Sequence, residues 1–494
     1  MTKNRMNREH RQIVERIIVQ GTLELTSPTC LSNGDTDNLV DIALQYDSIS
    51  PRALLTGTSI AGALRNYLRD YQHGYLAQEQ SADLATLLFG GMRQDTEGDQ
   101  SPLIVYDAIS DCPPSVEWRD GVSIDGATGT AKINRKDGKF IGGAKYDLEL
   151  LAAGTKFPLA FELLIDEKFL LDKNVCRQDL LEALAISLTG LEHSEIFLGT
   201  HKRRGFGCCV VNSWEVWQFD LRNNKHRMAW LTFDRPWASK YSVSPKQGKI
   251  VEALDISVHK LDKRRYFDVT ASFSLDSSLL IRSGQISDGT APDVVHLRSL
   301  RNGEAKPVLP GTSLAGVLRH RAERILSTLG QDLDCVKRIF GSVSDDAKTA
   351  ESSRLIVYES VIEDSDDLVQ TRIAIDRFTG GAYHGALLDE QPVWGDKETN
   401  IQLRLVLRKP EDYEIGLILL LLKDLWTSDL PVGGGINIGR GRLKGKKAQL
   451  KYKIDDNKIC EWQLRQTDKK LNVEGNQKAL EDFVDALASR EVAA

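Results

Sequence analysis

A chain of 494 residues is long enough for roughly two to four domains at about 150 residues each. Its 41% hydrophobic and 27% charged residues are the balance of an ordinary globular protein, which excludes collagen-like and wholly disordered classes. The net charge of −6 gives no global pull toward a polyanion, and the apolar run at 415–422 is far shorter than the ~20 residues of a membrane-spanning helix, so no membrane role is expected.

In chain order, the polar opening MTKNRMNREHRQ lacks the apolar core of a secretory signal. The seven cysteines are scattered without metal-ligand spacing, so a reducing, cytoplasmic setting without disulfides is expected. An alternating strand over 17–25 leads through a polar loop to ALLTGTSIAGALRNYLRDY (53–71), whose Ile60, Leu64, Tyr67, Leu68 and Tyr71 recur at helical spacing. LLFGG (87–91), the β-rich LIVYDAI (103–109), a glycine-containing hairpin around GVSIDGATGTA (121–131) and a strand near 157–165 follow. A second helix is expected at 177–191, then the glycine-rich GTHKRRGFGCCVV (199–211).

The series then returns. PVLPGTSLAGVLRHRAERI (307–325), RIFGS (338–342), LIVYESV (355–361) and RIAIDRFTGGA (372–382) follow in the same order at nearly constant spacing. A strand over 266–275 precedes them; a helix at 413–425 and GGGINIGRGRLKG (433–445) come after. Two copies of one domain are therefore expected, at 1–245 and 246–450, with a C-terminal extension at 451–494 that ends in a helix at about 476–490. Strand, helix, strands, helix, strand is the ferredoxin-like order, so the fold class is α+β, with tandem ferredoxin-like domains carrying β-hairpin insertions.

Each G-T-S start offers hydroxyls (Thr58 or Ser59; Thr312 or Ser313) to cap the helix. A helix N-terminus also suits a phosphate, with Arg65, Arg69, Arg319 and Arg321 nearby. The glycine-rich loops permit close backbone approach to a ligand, and Lys202, Arg203, Arg204, Arg440, Arg442 and Lys444 supply charge there; residues 433–447 carry five Lys/Arg and no acid. Neither loop fits a GxxxxGK[ST] phosphate loop or a dinucleotide-binding fingerprint. No Ser-His-Asp, Cys-His or metal-ligand cluster recurs in both copies. Acid does recur before each G-T-S motif: Asp35, Asp37, Asp41 and Asp47, then Asp288 and Asp293. Asp41 and Asp293 take corresponding places once the extra residues around Asn302 and Gly303 are allowed for. Any single loop aspartate is ordinarily a turn or cap residue.

Taken together, the G-T-S-[IL]-A-G-x-L-R helix starts, the LFGG and IFGS boxes, the S-I-D-G and A-I-D-R hairpins and the closing glycine-rich loops resemble the RAMP superfamily, specifically the backbone subunits of type III CRISPR effectors. The fusion of two units is similar to the double-backbone subunit of type III-D-like variants. The resemblance implies RRM-like (RAMP) domains that grip guide crRNA, with hairpins at about 122–143 and 373–394 wedging into the guide–target duplex. It also implies that complementary target RNA is cut with Mg²⁺ or a similar divalent cation by one aspartate per copy, Asp41 and Asp293. Ser59, Arg65, Ser313, Arg319, Lys202, Arg203, Arg204, Arg440 and Arg442 would contact RNA, beside other CRISPR effector subunits. Ala61 and Ala315 stand where the family often has Lys. Two other readings are a purely structural crRNA-binding subunit and a crRNA-precursor processing endoribonuclease with a His-based site, for which His201, His320 and His384 are the candidates. Delegating sequence selection to base pairing lets an acidic chain bind RNA along a local basic track.

Overall fold

The computed structural model describes the chain except residues 1–10, 33–40, 79–82, 92–99, 127, 129, 137–138, 144, 234–242, 284–291, 344–349, 468–469 and 491–494. In the first half, β1 (Ile13–Leu25) alternates burial, placing Ile17, Val19, Leu23 and Leu25 in the core. Helix α1 (Gly57–His73) buries Ile60, Leu64, Tyr67 and Leu68 on one stripe. After α2 (Leu84–Phe89) and β2 (Leu103–Val105), a hairpin stem is built from β3 (Val116–Val122) and β6 (Lys145–Leu151), with β4 (Ile133–Lys136) and β5 (Lys139–Gly143) between them. Then come β7 (Lys156–Asp166), α3 (Arg177–Glu192) and β8 (Cys209–Asp220). The sheet order β2-β7-β1-β8 is antiparallel throughout, the expected ferredoxin-like arrangement with helices on one face. At Gly21 a Cβ would lie 2.6 Å from the Trp214 ring, so only glycine lets that buried indole cross β1.

The second half repeats this plan. Strand β9 (Tyr266–Leu275) is followed by the ribbon β10 (Arg298–Arg301) and β11 (Glu304–Leu309), then α4 (Gly311–Thr328) and α5 (Asp334–Phe340). Next are β12 (Leu355–Val357), β13 (Ser360–Glu363), the hairpin β14 (Gln370–Ile375) and β15 (Ala382–Gln391), then β16 (Asn400–Arg408), α6 (Asp412–Trp426) and β17 (Leu443–Asp455). Strand β16 lies between β12 and β9, and β9 pairs with β17. Both second helices open with a capping box: Asp179 Oδ2 accepts from Cys176 N at 2.9 Å and Glu414 Oε2 from Glu411 N at 2.9 Å.

Several expectations shift. Each G-T-S helix begins at its glycine, so the N-caps are Thr56, whose hydroxyl accepts from Ser59 N, and Pro310, which offers no side-chain cap; Thr58, Thr312 and Ser313 do not cap. Residues 246–254 complete the first half: Lys246–Gly248 pairs with β8, and Ile250, Ala253 and Leu254 lie in its core. The extension starts within β17 and adds β18 (Lys458–Thr467) and β19 (Lys470–Glu474) to the second sheet; α7 (Gln477–Ala488) covers α6 so closely that a Cβ at Gly416 would meet Phe483 O at 2.1 Å. The second hairpin stem ends at Gln391; Val393 and Trp394 pair instead with Ser278 and Leu279.

Each half has its own core, and the joint between them is built head to tail. Phe197 and Cys208 of the first half pack with Ile356 and Val406 of the second. The connecting segment is pinned by Glu182, which accepts from Lys260 N at 2.7 Å, and by Arg264. That guanidinium pairs with Asp262 (2.8 Å) and Glu195 (2.9 Å) and lies 4.7 Å over the Tyr67 ring. The base of the first hairpin is bolted across the joint as well: Arg119, only 5% exposed, pairs with Glu359, which also holds Arg301, and Glu117 accepts from Ser299 Oγ and Leu300 N.

Candidate nucleic-acid interface and carboxylate sites

Asp41 and Asp293 are exposed and fall in the same structural place. Asp41 Oδ2 accepts from the backbone N–H of Asp147 at 2.9 Å, and Asp293 Oδ2 from that of Asp389 at 2.8 Å. The residues after each aspartate run parallel to the returning hairpin strand, Ile42 opposite Leu148 and Val294 opposite Glu390. Both loops are thus stitched to the foot of their own hairpin. Asp147 and Asp389 are half-buried; the Oδ1 atom of Asp389 is buried without a hydrogen-bond partner, whereas that of Asp147 lies 3.5 Å from Lys145 Nζ. These two residues escaped sequence reasoning. The signal was the recurrence of an acid on the returning strand, in KYDLELL and in LLDEQ. Asp35, Asp37 and Asp288 lie outside the described residues. Asp47 closes its own turn, accepting from Ser50 N (3.0 Å) and Ser50 Oγ (2.7 Å), which holds its carboxyl below the usual range. Among the described residues no group of three or more His, Cys, Asp or Glu is placed to hold a metal ion.

The helix arginines explain why two motifs travel together. Arg65 donates to Gly91 O at 3.0 Å and Arg319 to Gly341 O at 3.3 Å, so each ties its G-T-S helix to the FGG or FGS box. Arg321 pairs with Asp424 at 2.6 Å. Ser59 is exposed and Ser313 half-buried at their helix starts.

The glycine-rich loops share a backbone and differ in side chains. Each makes a single 3-10 turn, Lys202–Arg204 or Ile436–Ile438, followed by a left-handed glycine, Gly205 or Gly439. Gly207 and Gly441 also have positive φ, and a Cβ on either would meet the Leu198 or Val432 carbonyl at about 2 Å. The first loop is wedged into the joint: Arg204 donates to Phe340 O at 2.9 Å, and a Cβ on Gly311 would lie 2.4 Å from Arg204 O. Burial, and then Arg408, push the Arg203 guanidinium down to about 10; burial also lowers Lys202. In the second loop Arg442 is exposed and donates to Ser428 O at 3.2 Å. Arg440, expected beside it as an RNA contact, is instead 3% exposed, paired with Glu390 at 2.8 Å and donating to Gln370 Oε1 at 2.8 Å.

The hairpins project apolar side chains. Ile373, Ile375, Phe378, Tyr383 and Leu387 are exposed on the second, Phe378 to 85%, and Trp118, Val122 and Ile124 on the first. The repeated hairpin aspartates are turn builders: Asp125 Oδ1 accepts from Thr128 N, and Asp376 Oδ1 from Phe378 N and Thr379 N. The first hairpin's turn reaches the second half, where a Cβ on Gly126 would lie 3.0 Å from the His320 ring. His201 stacks on Tyr146 and burial pushes its imidazole down; His384 lies on β15. The three histidines stand on three different elements. All seven cysteines are free, and among the described residues no helix is long and apolar enough to cross a membrane.

A family model described as the RAMP superfamily matches residues 22–210 and 272–444, one match per half. No curated protein matches the chain significantly.

Proposed function

Because the chain belongs to the RAMP superfamily, we propose that it is a CRISPR-associated, cytoplasmic backbone subunit of a type III effector, of the fused type III-D-like kind. In this reading it grips guide crRNA beside other effector subunits and cuts complementary target RNA at two sites, one per half. The observation that carries the reading is the duplicated one: an exposed carboxylate, Asp41 or Asp293, is held by a backbone N–H from the foot of a hairpin whose apolar side chains face solvent. Such a hairpin suits insertion between stacked bases, which would leave one target nucleotide unstacked beside the carboxylate.

RNA supplies its own nucleophile. The 2′-oxygen loses its proton and attacks the adjacent phosphorus, the P–O5′ bond breaks, the departing 5′-oxygen takes a proton from water, and the products are a 2′,3′-cyclic phosphate and a 5′-hydroxyl. The chain must hold the sugar and phosphate in line and offer an acceptor for the 2′-OH proton, a role that Asp41 and Asp293 fit. The Oδ1 atom of Asp389, buried without a hydrogen-bond partner, fits a cation in the second half; that of Asp147 is already met by the Lys145 ammonium at 3.5 Å. Bound Mg²⁺ would offset charge developing on the phosphate oxygens.

The test is cleavage of a labelled complementary target by the guide-loaded complex. Two cuts are expected. Asp41→Ala should remove one, Asp293→Ala the other, and guide binding should persist in both; normal cutting by both variants refutes the assignment. The same hydrogen bonds also suit a structural subunit in which these aspartates only pin the loops. Target binding without any cleavage that EDTA abolishes would establish that reading instead.

A further inference from the structure

We infer that the outer end of the second half docks onto the open end of the first half in a second copy of this chain, so that copies stack head to tail through the contact that already joins the two halves. The inference stands on that joint and on the repeat, and it holds whether or not the chain cuts RNA. In the joint the first half presents its glycine-rich turn and the foot of its hairpin. The second half receives them on β12, β16 and the ribbon β10–β11: Phe197 and Cys208 pack with Ile356 and Val406, Arg204 donates to Phe340 O, and Glu117 accepts from Leu300 N. Because the unit is duplicated, a second presenting surface lies at the far end of the second half and a second receiving surface at the near end of the first.

Those two surfaces match each other. On the presenting side Ile436 and Ile438 stand where the joint has Lys202 and Arg204, and strand register puts Leu368 and Val369 where it has Glu117 and Trp118; all four are exposed. On the receiving side Ile104 and Tyr106 repeat Ile356 and Tyr358, and Tyr46 takes the pairing position of Arg298. Ile49, 93% exposed, lies in the short turn between Tyr46 and Ala53, and the other three are exposed as well. Charge agrees with this pairing. Arg442 replaces Cys208 and Glu162 replaces Val406, so a guanidinium comes to face a carboxylate. Glu162 already holds Arg16 at 2.6 Å, beneath the Trp230 ring, and would take a second arginine as Glu359 does in the joint. Apolar side chains gathered at one end of a chain mark a protein-binding surface. A polar contact serves between tethered halves, whereas separate copies must also offset the freedom lost on association, which buried apolar area does. The two surfaces are unlike, so the contact is heterologous and leaves an end open for a further copy.

The experiment follows the mass of the purified full chain against concentration by sedimentation velocity, with and without bound guide RNA. Masses that rise in whole-chain steps through the micromolar range are expected. Ile438→Asp spoils the presenting end and Ile49→Asp the receiving end. Each puts a carboxylate at an exposed position, so the unfolding midpoint should stay at the wild-type value, and each should weaken association by about tenfold or more, the scale of losses when a contact at an interface centre is spoiled. Mixed in equal amounts, the two variants should form a pair that grows no further, since one copy keeps only its receiving end and the other only its presenting end. A wild-type chain that stays a single copy throughout that range under both conditions overturns the inference and leaves the apolar end to a different protein. Association that neither variant weakens, or a mixture that associates no better than each variant alone, overturns it as well.

Discussion

Replacing Glu359 by Gln tests the joint most directly, because that side chain, 1% exposed, is the shared acceptor for Arg119 and Arg301. Removing one partner of a buried ion pair costs about 3–5 kcal/mol, chiefly by leaving the other charge uncompensated. Here Arg119 keeps Glu117 at 3.1 Å, and Arg301 still donates to Ser299 Oγ and Leu300 O, so the lower end, about 3 kcal/mol, is expected. Burial raises the Glu359 carboxyl, but Arg119 and then Arg301 outweigh it and hold the group below its ordinary value of 4.5. A carboxylate that titrates lower folded than unfolded stabilises fully above the unfolded value and loses that contribution as pH falls through the folded one. Urea denaturation of the two proteins in parallel, with proteolysis at 255–265 reporting separation of the halves, should show a gap of about 3 kcal/mol at pH 7 that narrows as the pH drops below about 4.5. A gap under about 0.5 kcal/mol at pH 7, or one that stays constant into acid, would refute the role given to this network.

Two further outcomes follow from packing. Arg440→Ala leaves Glu390 with Arg372 alone at 2.9 Å, and should destabilise the second half by about 2–4 kcal/mol, read as a lower denaturation midpoint in the absence of any RNA; an unchanged midpoint would return Arg440 to the surface cations. Gly21→Ala forces a methyl into the Trp214 ring and should cost about 1–3 kcal/mol, measured by thermal unfolding with tryptophan fluorescence.

The duplication was legible because it rests on long collinear strings, and the helix and strand periods placed α3, α6 and β9 within a residue or two of their ends. Asp41 and Asp293 were legible for the same reason: position in the repeat singled them out where one aspartate would not have been. What lay beyond the sequence depends on contacts between distant segments. Glu390 claims Arg440 from across the hairpin, Arg65 finds Gly91 O, and Asp147 meets Asp41 only once the hairpin returns. The first hairpin's additional ribbon, β4 with β5, has no counterpart in the second half, so repetition could not have revealed it.

Fusing the two units in one polypeptide freed their surfaces from having to match a twin. On one and the same loop backbone the first unit carries Lys202–Arg204 and meets its neighbour, and the second carries Ile436, Asn437 and Ile438 and meets solvent. The units are no longer interchangeable: their order along the chain fixes which loop becomes interior, and swapping the two turns would place isoleucines against Phe340 and Arg408 and bare cations at the outer end.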